Sequence, residues 1–142
     1  MIKIKKCTIN DEIKIYNLIC LLEEENLEKK YFKDVYLKNL HDENIIYLKC
    51  IDEKNIIGFI SCHIQNLLHH NYKVAEIQEL FVVPSFRNQG VGKYLIAYLS
   101  DILKNKEVKL LEVTAQKKRK KAHKFYKSNK FEQTHLKFNK FL

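Results

Sequence analysis

The sequence predicts an α/β fold, with a mixed, mostly antiparallel central sheet flanked by helices in the order βααβββαβαββ. Two observations fix the class. Runs rich in Ile, Tyr and Phe at residues 45 to 51 and 55 to 65 flank the polar turn Asp52-Glu53-Lys54-Asn55, which is a hairpin signal. Residues 90 to 104 place Val91, Leu95, Tyr98, Leu99 and Ile102 at three- and four-residue spacing, a helical stripe set between two strand-like runs.

Taken in order, residues 2 to 7 alternate apolar and polar and read as a strand. Thr8 or Asn10 can cap the next helix, whose positions Ile13, Tyr16, Ile19, Cys20 and Leu22 fall on one face. A second, short helix covers residues 30 to 40, and the hairpin follows. Residues 74 to 83 form the next strand and end at Pro84, which cannot donate to a sheet ladder. After the striped helix, residues 108 to 114 return as a strand and residues 119 to 128 as a helix. A C-terminal hairpin over residues 131 to 142 completes the order.

With 142 residues, three glycines, one proline and no repeat or linker-like stretch, the chain reads as a single domain over residues 1 to 142. Its apolar stretches are far shorter than a membrane span of roughly 20 residues. The first residues lack an apolar signal core, so the expectation is a cytoplasmic protein with no membrane partner. Cys7, Cys20, Cys50 and Cys62 are irregularly spaced and read as small buried thiols rather than ligands or redox pairs. The formal charge of +9 raises the question of a polyanionic partner. Only Arg87 and Arg119 are arginines, however, and a nucleic-acid reader is expected to favour the bidentate guanidinium over lysine. A basic nucleic-acid-binding module without catalysis is therefore the alternative from another class.

Chemistry concentrates in one turn. The strand ending Leu80-Phe81-Val82-Val83 runs through Pro84-Ser85-Phe86 into Arg87-Asn88-Gln89-Gly90-Val91-Gly92, directly before the striped helix. A helix start carries backbone N–H groups with no intrahelical partner and a partial positive charge, so a pyrophosphate suits it. Gly90 and Gly92 allow close backbone approach, and Arg87 can add a charge-assisted bond. The spacing matches neither the dinucleotide fingerprint nor the P-loop.

The segment from Leu80 through Gly92 resembles the acetyl-CoA loop of the GNAT superfamily, with its pattern [QR]-x-x-G-x-[GA]. Ala122-His123-Lys124-Phe125-Tyr126 resembles a second superfamily element, A-x-x-F-Y. The strand-then-Thr8-x-x-Asp11 start is similar as well, so the resemblance spans nearly the whole chain. Within the superfamily, the aminoalkylphosphonate N-acetyltransferases are the most similar. The carrying segments are Leu18-Ile19-Cys20, the stretch from His63 to His70, Glu76 to Leu80, Lys118 to Tyr126 and Phe131 to Leu142. Arg119 stands where many members have Asn, a departure shared with the phosphonate enzymes. Lys130 stands where a Gly is usual.

The resemblance implies a GNAT-type sheet and transfer of an acetyl group from acetyl-CoA, the cosubstrate, to the amino group of a small molecule. An aminoalkylphosphonate is the first expectation; a peptide N-terminus, polyamine or amino sugar is the alternative. It implies Glu76 as the base that removes the amine proton, with Glu79 as second choice. Alternation puts Glu79 on the opposite strand face unless a bulge intervenes. Tyr126, protonated at neutral pH, is the expected donor to the leaving thiolate. The coenzyme set comprises Phe81, Val82, Val83, Arg87, Asn88, Gln89, Gly90, Val91, Gly92, Lys93 and Arg119, with Val82 and Val83 offering backbone groups to the pantetheine arm. The basic run from Lys117 to Lys121 either meets the coenzyme's 3′-phosphate or is a solvated face. His63, His69, His70 and Tyr72 precede the central strand and could hold an anionic acceptor head. A divalent metal at the adjacent histidines is left open, as is a homodimer.

Overall fold

A computed structural model describes residues 1 to 142. Five strands form one sheet in the order β1-β2-β3-β4-β5: β1 (Ile2–Lys6), β2 (Ile45–Asp52), β3 (Asn55–Gln65), β4 (Lys73–Val82) and β5 (Val108–Val113). All pairings are antiparallel except the parallel β4–β5 ladder. The helices are α1 (Glu12–Glu23), α2 (Lys29–Leu40), α3 (Val91–Asn105) and α4 (Lys120–Ser128). The mixed, mostly antiparallel class is therefore as expected. No helix is long and apolar enough to cross a membrane.

The sheet carries a core on each face. On one, Leu48, Ile60, Cys62, Ala75 and Ile77 pack under Val91, Leu95, Ile96, Leu99 and Leu103 of α3. On the other, Phe59 and Phe81 pack under Ile15, Leu18 and Ile19 of α1 and Tyr36 of α2. The buried face of α1 differs from the expected stripe: Ile13 is exposed, and Ile15 and Leu18 are the anchors. The difference arises at the helix start. Thr8 caps a short 3-10 turn (Ile9–Asp11), closed by a capping box with Asp11, and this turn sets the rotation at which α1 begins.

Asp11 is the one buried carboxylate, and it is fully engaged. It accepts from the Thr8 backbone N–H at 2.8 Å and from the Lys49 ammonium at 2.6 Å. Burial alone would push its carboxyl up, but the Lys49 bond and the Thr8 N–H outweigh this and hold it below its ordinary value. Tyr36 Oη adds a bond to the Thr8 carbonyl at 2.7 Å, so one cluster joins β2, the α1 start and α2. The cysteines are free; Cys7, Cys50 and Cys62 are buried and Cys20 is half-buried. Burial pushes the Cys7 and Cys62 thiols up to about 12, which leaves them without nucleophilic thiolate at neutral pH.

One expected element is missing. Residues 131 to 142 form no strand, and beyond half-buried Phe131 the segment is exposed throughout. A hairpin needs a tight reversal, and this stretch has neither glycine nor proline to make one.

Replacing Lys49 by Met leaves the Asp11 charge buried without its partner and is expected to lower the unfolding free energy by about 3 kcal/mol at neutral pH. Because the Asp11 carboxyl is depressed in the folded state, the pair's contribution is present above the ordinary carboxylate range and lost as pH falls through the folded value. Urea unfolding at a series of pH values should therefore show the difference between the two proteins shrinking in acid.

Candidate functional site

β4 and β5 are paired only as far as Ile77 and Val113. Beyond that point β4 continues to Val82 while β5 ends and the backbone leaves the sheet at Thr114, so the two strands part and one edge of β4 lies open. In the antiparallel β3–β4 ladder, the Val83 N–H donates to the Ile57 carbonyl at 2.9 Å. By strand alternation Leu80 and Val82 then turn their backbone groups toward the opening. This corrects the expectation for Val83, whose amide is already used by the sheet; Leu80, which sequence reasoning missed, takes its place on the free edge. Strand parity could have found it, given one fixed hydrogen bond.

Where β4 ends, a 3-10 turn (Pro84–Phe86) leads to Arg87, and Asn88 and Gly90 both take positive φ, 60° and 84°. Asparagine tolerates this region and glycine adopts it without strain. The outcome is a concave backbone segment: none of the N–H groups from Asn88 to Lys93 donates a bond within the protein, and α3 has no side-chain cap. Arg87 folds back, donating from Nε to the Val82 carbonyl at 2.8 Å with its guanidinium carbon 5.1 Å from the Phe81 ring centre. Gln89 Nε2 donates to the Ser85 carbonyl at 3.1 Å. These side chains brace the turn and leave its amides facing outward, an arrangement suited to an anion. A Cβ on Gly90 would meet no atom within 4 Å, so its surroundings are open.

The two glycines serve different purposes. Gly90 is required by its φ. At Gly92 an added Cβ would lie 2.9 Å from the Phe125 ring, so this glycine makes room for α4 against the first turn of α3. For Gly92 the room it leaves for Phe125 is a requirement that local sequence does not show. Phe125 in turn stacks edge-on with Tyr126, which stacks edge-on with Phe131. Burial pushes the Tyr126 phenol above its ordinary value, with the Arg119 charge opposing, so the group stays protonated and able to donate. Lys117 to Lys121 are exposed at the start of α4, and Arg119 caps it through its carbonyl, bonded to the His123 N–H at 3.2 Å.

Glu76 lies on β4 beside the opening. Its carboxylate accepts from Thr114 Oγ1 at 3.0 Å and from Gln78 Nε2 at 3.2 Å, which ties it to the residue where the chain leaves β5. The register between β3 and β4 shifts at Ser61/Cys62: Glu79 stands opposite Ser61 and Ile77 opposite Cys62, leaving Gln78 as an extra residue. This bulge brings Glu79 to the same face as Glu76, the face of α1 and α2, so plain alternation fails here. Ser61 Oγ donates to the Glu79 carboxylate and accepts from its backbone N–H at 2.9 Å. Glu112 of β5 is the register partner of Glu76, and His63 of β3 is its partner on the other side.

His69 and His70 are placed elsewhere. They lie in the loop before β4, their rings 4.4 Å apart, and His70 and Tyr72 line an open depression with Lys73, Glu107 and Lys109. β4 spans roughly 30 Å at ~3.3 Å per residue, so this depression is at the far end of the strand from the turn. Only His63 of the three histidines joins Glu76. No group of three or more His, Cys, Asp or Glu side chains is arranged to hold a metal ion.

Residues 13–131 match the model of the acetyltransferase (GNAT) family. The chain belongs to that family. It is an acetyl-CoA-dependent N-acetyltransferase. Among curated relatives, the aminoalkylphosphonate N-acetyltransferase of Salmonella typhimurium is 34% identical over 99% of this chain and 91% of its own length. The fold is similar to a crystal structure of a transcriptional regulator from Bacillus halodurans, with TM-score 0.91 and 19% identity over 100% of both chains. It is also similar to AAC(6')-Iy in complex with the bisubstrate analogue CoA-S-monomethyl-acetylneamine, with TM-score 0.88 and 18% identity over 100% of this chain and 99% of that one.

Gly92→Ala is expected to push Phe125 and α4 away and weaken acetyl-CoA binding by about tenfold, a cost of ~1.4 kcal/mol. Calorimetric titration checks this. Gly92→Ala combined with Phe125→Leu, which removes the clashing ring edge, should recover part of the loss.

Proposed function

We propose that this acetyltransferase acts on the amino group of a small aminoalkylphosphonate. The observation that carries the reading is the 34% identity to an aminoalkylphosphonate N-acetyltransferase over 99% of the chain. Lysine-rich charge, +9 in all, would draw a phosphonate dianion toward the protein.

In the proposed mechanism the amides from Asn88 to Lys93 hold the coenzyme pyrophosphate, and the Leu80 and Val82 backbone aligns its arm along the free edge of β4. Acetyl-CoA supplies the thioester. An ammonium has no lone pair, so Glu76 takes a proton from the acceptor, directly or through a water, while its bonds to Thr114 and Gln78 hold the carboxylate in place. The amine nitrogen bonds to the thioester carbon, the carbon–sulfur bond breaks, Tyr126 gives its phenolic proton to the departing thiolate, and the second proton shed by the nitrogen as the amide forms passes through solvent to restore the phenol. His63, the register partner of Glu76, would meet the acceptor's anionic head.

A second reading rests on a different observation. Glu76, Glu79 and Glu112 share the face under α1 and α2, and carboxylates gathered on one face suit an acceptor with several amines, such as a polyamine or amino sugar.

The test is coenzyme release from acetyl-CoA with 2-aminoethylphosphonate, 1-aminoalkylphosphonates, spermidine, glucosamine and a short peptide, with and without a divalent metal. Turnover concentrated on the phosphonates supports the first reading; preference for spermidine or glucosamine replaces it with the second. With the preferred amine, Tyr126→Phe should lower kcat by about 10²-fold and leave acetyl-CoA affinity within about threefold. Glu76→Gln should lower kcat/KM most at neutral pH and progressively less in alkali, where the amine is already free of its proton.

A further inference from the structure

The positive charge of the chain is not spread evenly. Between Lys117 and Lys130 stand eight of its 26 Lys and Arg residues, and no acidic residue occurs from Val113 to Phe131. All eight are exposed and none takes part in an ion pair. Within α4 the helical period lines up Lys120, Lys124 and Lys127 on one face with Lys121 beside them, while Ala122, Phe125 and Tyr126 turn to the other and are half-buried.

Helix stability does not account for that stripe. Lys120 and Lys121 sit in the first turn of α4, where the partial positive charge of a helix start opposes them. Lys120 with Lys124, and Lys124 with Lys127, are like charges one turn apart, which weakens the helix further. A face that only meets solvent is better served by mixed signs, so the stripe is a cost that a partner of opposite charge would offset.

A second exposed feature follows directly. Phe131 is held by its N–H to the Tyr126 carbonyl at 3.0 Å and by packing on the core. The segment beyond it leaves Leu136, Phe138, Phe141 and Leu142 in solvent, each 68% exposed or more, with Lys137 and Lys140 among them. Apolar side chains interleaved with lysine are therefore tethered to the end of the basic helix.

We propose that α4 and the C-terminal segment together dock on an anionic lipid bilayer, the lysines among the headgroups and Phe138, Phe141 and Leu142 at the boundary with the acyl chains. Two observations favour a bilayer over a nucleic acid. The basic run is lysine with Arg119 as its one guanidinium; point charges suit a fluid headgroup layer, whereas phosphate and base recognition favours the bidentate group. Leu136 and Leu142 have an apolar phase to enter at a bilayer, and no ring with which to stack on a base. The expectation that the chain has no membrane partner concerns spanning segments, and a surface that lies on a bilayer needs none.

Co-sedimentation of the full chain with vesicles tests this. Phosphatidylcholine vesicles containing phosphatidylglycerol should bind it, and vesicles of phosphatidylcholine alone should not. Raising salt from about 0.1 M to about 1 M shortens the screening length from about 10 Å to about 3 Å and should release the protein. Lys124→Gln, Lys127→Gln and Lys130→Gln together should lower the partition coefficient by about 10²-fold. This variant spares the run from Lys117 to Lys121, so a contact of that run with coenzyme does not enter the result. Phe138→Ser with Phe141→Ser should lower the coefficient by about tenfold and leave its salt dependence unchanged. All the replaced side chains are exposed, so circular dichroism should show both variants folded like the parent. Equal binding to the two kinds of vesicle, no binding to the anionic ones, or anionic binding unchanged in the lysine variant would each overturn the proposal. Tighter binding to a single-stranded or duplex oligonucleotide than to anionic vesicles at the same salt would also overturn it, in favour of a nucleic acid.

Discussion

The end of the molecule where β4 and β5 part is organised around backbone hydrogen bonds that are left unmade. β4 loses its parallel partner after Ile77, and the amides from Asn88 to Lys93 face outward because two residues in positive φ turn the chain before α3 starts. Unpaired backbone groups are costly when buried, so a sheet that parts and a helix start without a cap must keep them in contact with solvent or with a ligand. The rest of the fold holds that arrangement open. α3 is anchored on the core through Val91 and Leu95, Arg87 ties the turn to the last residue of β4, and Gly92 admits Phe125 so that α4 closes against the same turn.

The opposite face of the sheet is held with equal specificity by polar contacts. Asp11 and Lys49 fix the start of α1 to β2, and Ser61 engages both the backbone and the carboxylate of Glu79 at the bulge. The bulge has a chemical consequence, since one extra residue at Gln78 is what puts Glu76 and Glu79 on one face. A regular strand would have turned one of the two carboxylates into the α3 core.

Much of this was legible in the sequence where the signal is local. The hairpin around Asp52 to Asn55, the α3 stripe and the glycine-bearing turn each follow from short-range spacing and were found within a residue or two. What escaped depends on three-dimensional neighbours. The engagement of Val83 by Ile57 follows from β3–β4 register, the reason for Gly92 is a ring from a helix thirty-odd residues later in the chain, and the rotation of α1 follows from the capping turn. The C-terminal stretch has strand-like composition, which is why a hairpin is expected; with neither glycine nor proline for a tight reversal, it forms no strand and stays exposed beyond Phe131. His69 and His70 precede Glu76 closely in sequence, but they lie in the loop before β4, and strand register instead puts His63 opposite Glu76.

The proposed reaction requires that the outward-facing amides of the turn receive the coenzyme pyrophosphate. Amide resonances followed by NMR during a titration with CoA measure it most directly. The account predicts large shifts and slowed hydrogen exchange at Asn88 through Lys93, together with Leu80 and Val82. Saturable binding that left those amides unshifted and freely exchanging, while perturbing the His70 to Lys73 depression or another surface, would contradict it.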